Sequence, residues 1–398
     1  MDHMIDGSEN ACMKKKRLLI VNNNMHIGGV QKALLNLLRE IEGEYEITLL
    51  LLYRGGALLD GIPRGVHVVE AEGAFRLLGM TSQDVASPAR KLARGVLAAE
   101  TRIFGRGFLL RFLYPWQRKL RGFDAAVAYL HSGAPRAFYG GCCEFVLHCV
   151  EAEKKYAFLH CDYGKIGADS GYNRRLYRQF DRLAACSAGT RAAFLSYMPD
   201  LEERTFVVPN CLNFGAVRAE ADRGTALPPS QERIVVTVAR LGKEKGVLRA
   251  IRAAADLKDR LHYYILGDGV QRAQAEEMIA SLGLSRTVEL LGEQENPYGY
   301  MRTADLLLIP SFSEAAPMVI GEAACLGTPV LTTRTSSARE MVEQTGFGWV
   351  CENSTDGIRQ GLTYLLEHPE ELDRRRAALK QRRFDDGLAK TRFMELME

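Results

Sequence analysis

The sequence predicts an α/β protein: two Rossmann-like, doubly wound parallel-sheet domains facing a central cleft. Two observations carry this. Short aliphatic runs alternate with helically spaced apolar residues along the whole chain, and the alternation stops once, after Asn210, before starting again. The third consideration is length, since 398 residues exceed one comfortable core.

The first unit opens with KRLLIV, a buried strand, then a polar glycine loop, NNNMHIGG. A helix follows in VQKALLNLLREI, where Val30, Leu34, Leu37, Leu38 and Ile41 recur at helical spacing. EITLLLLY and VHVVEA are the next strands, so strand, loop, helix and strand form a right-handed βαβ unit of a parallel sheet. DAAVAYL, KYAFLH, RLAACS and TFVVPN extend it. The stretch AVRAEADRGTALPPSQE lacks apolar periodicity and reads as a linker. RIVVTVAR, HYYILGDG, VELLG, DLLLIPS and PVLTT are then strands of a second sheet, with helices in VLRAIRAAADL, AQAEEMIASLGL, PYGYMRTA and MVIGEAACLG. The expected division is an extension at 1–12, a first domain at 13–212, a linker at 213–232, a second domain at 233–382, and a helix at 383–398 returning to the first domain.

Composition is that of an ordinary soluble globular protein, 47% hydrophobic and 25% charged. No apolar run approaches the roughly 20 residues that span a bilayer, and KKKRLLIV stops too early for a signal peptide. The nine cysteines contain no CxxC pair and read as reduced, small buried hydrophobes of a cytosolic protein. Charge is uneven. Between Arg76 and Arg121 ten basic residues face only Asp84 and Glu100, a local net of +8 on a chain of +3. Interleaved is FLLRFLYPW, whose residue types suit a membrane interface. At about 1 kcal/mol for each basic residue near an anionic surface, half of them would contribute about 4 kcal/mol, so inserted apolar side chains must add the rest. A packed helix with a solvated basic face is the structural alternative. Nucleic acid is not expected, because no binding motif accompanies the charge.

In open α/β sheets ligands sit beyond the carboxyl ends of the strands. Three features fall there in the second unit. VARLGKEKG places Arg240 and Lys245 directly after a strand, two cations suited to a diphosphate, with a solvated loop as the alternative. LGDG offers Gly267 and Gly269 for close backbone approach, although such turns often only reverse the chain. SFSEAAPMVIGEAACLG puts Pro317 where a helix begins, so that helix amides point into the cleft as an anion site. Glu314 before that helix and Glu322 inside it can accept from hydroxyls. Two acids flanking a phosphate site describe a sugar nucleotide. Against this stands a capping box of Ser311 with Glu314, leaving Glu322 as an exposed helix acid.

These residues together resemble the retaining glycosyltransferases of family 4, which have the GT-B fold. The resemblance is carried by Arg240-Leu-Gly-Lys-Glu-Lys245-Gly246, by Glu314 and Glu322 eight positions apart, and by Gly327-Thr-Pro-Val. Gly28-Gly29-Val-Gln31 and VVPN at 207–210 match further family segments, and the likeness runs from about residue 17 to about 385. The resemblance implies a nucleotide-sugar donor, UDP-linked, and an acceptor that is a glycan or a lipid-linked glycan. It implies that Arg240 and Lys245 bind the diphosphate and stabilise the leaving group, with no metal. It further implies that the amides of Ala316, Pro317's neighbours Met318 and Val319 hold the distal phosphate. Glu322 would take the ribose hydroxyls and Glu314 the donor sugar. Gly28 and Gly29 would close over the phosphates, and the Gln294 backbone would meet the base. His160 matches the family histidine near the donor sugar and attacking hydroxyl, with a satisfied strand-end histidine as the alternative; His131 is a second candidate. Implied too is retention of the anomeric configuration, and with no defensible carboxylate nucleophile in the first half, front-face transfer is favoured. The family's usual Glu-Gly-x-Pro is here Glu314-Ala315-Ala316-Pro317, which reshapes the donor pocket. The expected place of action is the cytoplasm, with peripheral attachment to the inner face of the membrane. An epimerase of the same fold, or a silent binding subunit, are the rival readings.

Overall fold

The computed structural model describes residues 15–81 and 83–398. The extension expected at 1–12 lies outside them. Two parallel sheets are built from strands that are apolar on both faces. The first contains β1 (Lys16–Asn22), β2 (Tyr45–Leu51), β3 (His67–Glu70), β4 (Leu120–Ala128), β5 (Val150–Leu159), β6 (Arg182–Ala185) and β7 (Thr205–Val207). Its order is β3-β2-β1-β4-β5-β6-β7. The second contains β8 (Arg233–Val238), β9 (Leu261–Leu266), β10 (Val288–Gly292), β11 (Leu306–Ile309), β12 (Val330–Thr333) and β13 (Gly348–Cys351), in the order β10-β9-β8-β11-β12-β13. Both sheets therefore reverse direction at their first strand, between β1 and β4 and between β8 and β11. A crevice opens at such a switch point.

β1 shows why the sheet is buried on both sides. Leu18 and Ile20 enter one core cluster while Leu19 and Val21 enter the other, and all four are fully buried. The strand β13 was not foreseen. Its residues Gly348, Trp349, Val350 and Cys351 form a short edge strand without a clear apolar run.

The stretch 213–232 differs from the expected linker. Asn213 caps helix Phe214–Arg223 by accepting from the Ala216 amide, and Phe214, Val217, Ala221 and Leu227 pack into the second domain's core. The helix is polar on most of its circumference, which hid its narrow apolar stripe. The chain then returns at its end: helix Gly387–Met397 packs Ala389, Phe393, Leu396 and Met397 into the first domain's core. Phe393 lies edge-on to Tyr45 at 6.4 Å and stacked on Phe158 at 6.3 Å.

The domains meet on one side of the cleft. Helix Ala188–Leu195 of the first domain points its N-terminus at the second, where the Glu340 carboxylate accepts from the Ala188 and Gly189 amides, both at 3.0 Å. Ser187 Oγ and Thr190 Oγ1 donate to the Ala315 carbonyl at 2.9 and 3.2 Å, and Asn210 Nδ2 donates to Ala316 at 2.9 Å. At Gly189 a Cβ would stand 2.0 Å from the Ser336 carbonyl oxygen, so this approach requires glycine.

Removing the Phe393 ring leaves a cavity where the C-terminal helix anchors. Phe393→Ala is expected to lower stability by about 3–5 kcal/mol, read from the urea midpoint.

Candidate functional site: the interdomain cleft

Strand ends and helix starts line the cleft from both domains. From the first, helix Gly29–Ile41 begins at Gly28, an extended N-cap residue, and space is open around the Gly29 Cα. From the second, helix Met318–Cys325 begins after Pro317, whose backbone is extended and which serves as the N-cap rather than the first helical residue. Both starts leave amides without intrahelical acceptors. Lys32 bridges the gap: its Nζ lies 5.5 Å from the Tyr298 ring centroid, and its charge bears on Glu322.

The two acids of the opening helix segment have different surroundings. Glu314 is tied to Lys245, whose Nζ is 2.7 Å from Oε1, and Ser311 Oγ donates to the same oxygen at 2.6 Å. Ser311 thus bonds to the carboxylate itself, so the pair is not a backbone capping box. Glu322 is buried, not an exposed helix acid. Tyr298 Oη donates to it at 3.0 Å. Burial raises its pKa, while the Lys32 charge and the tyrosine hydrogen bond oppose that shift.

Arg240 and Lys245 do not converge. Arg240 is exposed along the loop and pairs with Glu244 at 3.3 Å, whereas Lys245 turns inward to Glu314. The glycines of LGDG are spent on the chain itself. At Gly267, φ is +136° and a Cβ would meet the Ala239 carbonyl oxygen at 1.9 Å; Gly269 abuts Leu241 in the same way. Both therefore press β9 against the loop that carries Arg240, which positions that loop. Gln294 is held at both ends, donating to the Leu291 carbonyl at 2.7 Å and accepting from Tyr300 Oη at 3.3 Å.

His160 ends β5 beneath the cleft, sandwiched against Phe158 at 5.4 Å and Tyr129 at 4.9 Å. The Asn210 side chain and the Tyr129 backbone are the polar groups beside its ring, and neither makes a well-formed hydrogen bond to it. Its ring is therefore poorly satisfied at the strand end. Burial, reinforced by His131, pulls its pKa down to about 3. His131 falls to about 4 through burial and the charge of Arg106. Both rings are neutral at pH 7, so each offers one donor and one acceptor. A group so weakly basic positions a hydroxyl better than it removes its proton. Asn210, which closes the VVPN segment, and Asn22 each carry a side-chain oxygen without a well-formed hydrogen bond and are further candidate residues.

The basic island divides. Arg106 is fully buried and paired with Glu144 at 2.8 Å, so it adds nothing to the surface charge. Leu109, Leu110 and Leu113 are core residues. Outside, helices Pro88–Phe104 and Arg106–Leu113 expose Leu92, Val96, Ile103, Phe104, Phe108 and Phe112, and Trp116 follows at 78% exposure. Phe104, Phe108 and Phe112 form a ladder with ring spacings of 5.0 and 5.1 Å. Arg90, Lys91, Arg102, Arg111 and Arg118 lie exposed on the same segment, with no ion pair among the described residues. The Arg106 amide donates to Pro135 at 2.8 Å, which ties this face to the loop after β4 on the cleft side.

This arrangement is the GT-B fold. Over 96% of its length the chain superposes on 98% of a crystal structure of Anabaena Alr3699/HepE in complex with UDP, with a TM-score of 0.65 and 18% identity. Residues 219–382 match the family described as "Glycosyl transferases group 1". Among curated relatives, a Campylobacter jejuni enzyme is 30% identical over 194 residues, 48% of this chain and 52% of its own. It is named N-acetylgalactosamine-N,N'-diacetylbacillosaminyl-diphospho-undecaprenol 4-alpha-N-acetylgalactosaminyltransferase. The amylovoran biosynthesis glycosyltransferase AmsK of Erwinia amylovora is 33% identical over 143 residues, 33% of this chain and 34% of its own. The matched segments thus span only a third to a half of these curated relatives.

Protonating His160 costs the folded state, because its folded pKa lies below the unfolded value of 6.5. Stability is therefore full above pH 6.5 and falls as pH drops toward 3. In His160→Gln this slope is expected to be shallower by at most about 1.4 kcal/mol per pH unit, as measured by urea unfolding at stepped pH.

Proposed function

We propose that the protein is a retaining glycosyltransferase that moves a sugar from a UDP-sugar to a hydroxyl of a lipid-linked glycan, in cell-surface polysaccharide or glycoconjugate synthesis. The observation that carries this is the cleft in which Lys245, Glu314 and Glu322 gather at the start of helix Met318–Cys325, opposite the start of helix Gly29–Ile41. The UDP complex of the Anabaena structure and the diphospho-undecaprenol in the Campylobacter enzyme's name support the two substrates.

In this reading Glu322 accepts from the ribose hydroxyls and Glu314 from the donor sugar. The amides of Ala316, Met318 and Val319, with Lys245 and a swung-in Arg240, face the diphosphate. As the bond from the anomeric carbon to the phosphate oxygen breaks, that oxygen gains charge, and these donors act where the charge develops. The acceptor hydroxyl adds to the same face of the sugar and its proton passes to the leaving phosphate, so the configuration is retained. Neutral His160 orients the hydroxyls. The cations and amides do the work a metal does elsewhere, and transfer is expected to persist in EDTA.

The phenylalanine ladder and the exposed basic residues of the same segment attach the first domain peripherally to an anionic membrane at the cytoplasmic face. Five exposed basic residues contribute about 5 kcal/mol at most, and the inserted rings add the remainder. The acceptor's lipid then remains in the bilayer while its glycan enters the cleft.

UDP release from a panel of UDP-hexoses and UDP-N-acetylhexosamines, with and without lipid extract, tests the reaction. Release from one donor, raised by lipid and reduced about 100-fold or more in Lys245→Ala and Glu314→Gln, is the expected result. Release from none, despite UDP binding, overturns it. For the membrane face, flotation with phosphatidylglycerol vesicles is expected to lose the triple variant Phe104→Ser, Phe108→Ser, Phe112→Ser, and to weaken with salt for the unaltered protein.

A further inference from the structure

A cavity of about 510 Å³ lies in the second domain outside the cleft, lined by Lys243, Arg249, Arg252, Phe312, Asn353 and Thr355 among others. Arg240, Lys245, Glu314 and Glu322 do not line it. Its size is within the range of small-ligand pockets, about 300–1,000 Å³.

Its charge is one-sided. Arg249 is only 8% exposed, yet no carboxylate stands within ion-pair distance of it among the described residues. Its Nε donates to the Pro310 carbonyl at 2.8 Å, its guanidinium lies 3.8 Å over the Phe312 ring, and its Nη2 has no hydrogen-bond partner. Burial lowers its pKa with no acid to offset the shift, and the Cys351 thiol beside it, pushed up to about 11, stays neutral. A buried charge without a partner is costly unless something else neutralises it. Lys243 and Arg252 are exposed and make no ion pair among the described residues.

Helix Thr355–Glu367, 13 residues long, starts at the cavity wall, its cap Ser354 accepting from the Gly357 amide. The nearby acids face elsewhere: Asp356 is held by Arg359 at 3.2 Å and Glu352 by Arg334 at 2.9 Å. Asn353 Oδ1 is a second polar atom without a partner.

We propose that this pocket binds a phosphate-bearing anion, a small soluble phosphate ester or polyphosphate. Arg249 and Arg252 pair with the phosphate, the first amides of helix Thr355–Glu367 donate to it, and Asn353 Oδ1 accepts from a ligand hydroxyl. The wall Pro310–Phe312 leads within two residues to Glu314, so an occupant stands behind the segment that carries the cleft carboxylate.

Calorimetric titration of inorganic pyrophosphate into the full chain tests this, with the cleft first saturated with UDP. Should UDP not bind, Arg240→Ala is the background instead, so a failure of the cleft reading leaves this test intact. One further binding event is expected, weakened at least tenfold in Arg252→Ser and abolished in Arg249→Met. Arg252 is exposed, so its variant decides the matter even if Arg249→Met fails to fold. Phosphatidylglycerol vesicles serve as the second arm: vesicle binding lost in Arg252→Ser, without any pyrophosphate binding, would assign the site to a lipid headgroup and overturn the soluble ligand. Pyrophosphate binding that is absent, or equal in wild type and Arg252→Ser, also overturns the proposal.

Discussion

Parallel pairing is the constraint on which the rest of the molecule depends. Consecutive parallel strands need a crossover, and their common direction sends every strand's carboxyl end to one edge of its sheet. Helix starts collect at the same edge. Each domain therefore presents loops, free amides and dipole ends on one side, and two such sides face each other here. Glu314, Lys245, His160 and Gly28 come from four different loops or strand ends, yet this one rule brings them to a common cleft.

The seam between the domains shares residues with that cleft. Ala315 and Ala316, between Glu314 and the amide-bearing helix start, use their carbonyls to accept from Ser187, Thr190 and Asn210 of the first domain. Closure and the shape of the donor pocket are thereby written into the same backbone. Gly189 permits the approach from one side. The Ala315 carbonyl is thus committed to this seam.

Some buried polar groups that lack a well-formed hydrogen bond lie where the protein faces something it does not itself supply. His160 and Asn210 do so under the cleft, and Arg249 and Asn353 do so in the outer cavity. A basic residue paired inside reads differently. Arg106 belongs to the basic island by sequence but to the core by position, where it pairs with Glu144, with Ser132 and Asn173 completing the network.

The sequence by itself determined the α/β class, most of the strands, the restart after Asn210 and the order of the motifs, because apolar periodicity and turn residues are local properties of the chain. It also marked Glu314 and Glu322 as acids in an apolar setting. Only the tertiary structure decided what each residue faces. A helix with a narrow stripe, Phe214–Arg223, was invisible until its partner in the second core was present. The same holds for β13, whose pairing with β12 rather than its composition makes it a strand. Lys245 and Glu314 are 69 positions apart, and their contact depends on a sheet edge, not on spacing. Charge behaves likewise: counting gave +8 to one segment, but burial removed Arg106 from the surface and left Arg249 alone inside. Burial is a property of the whole fold, and no local pattern reports it.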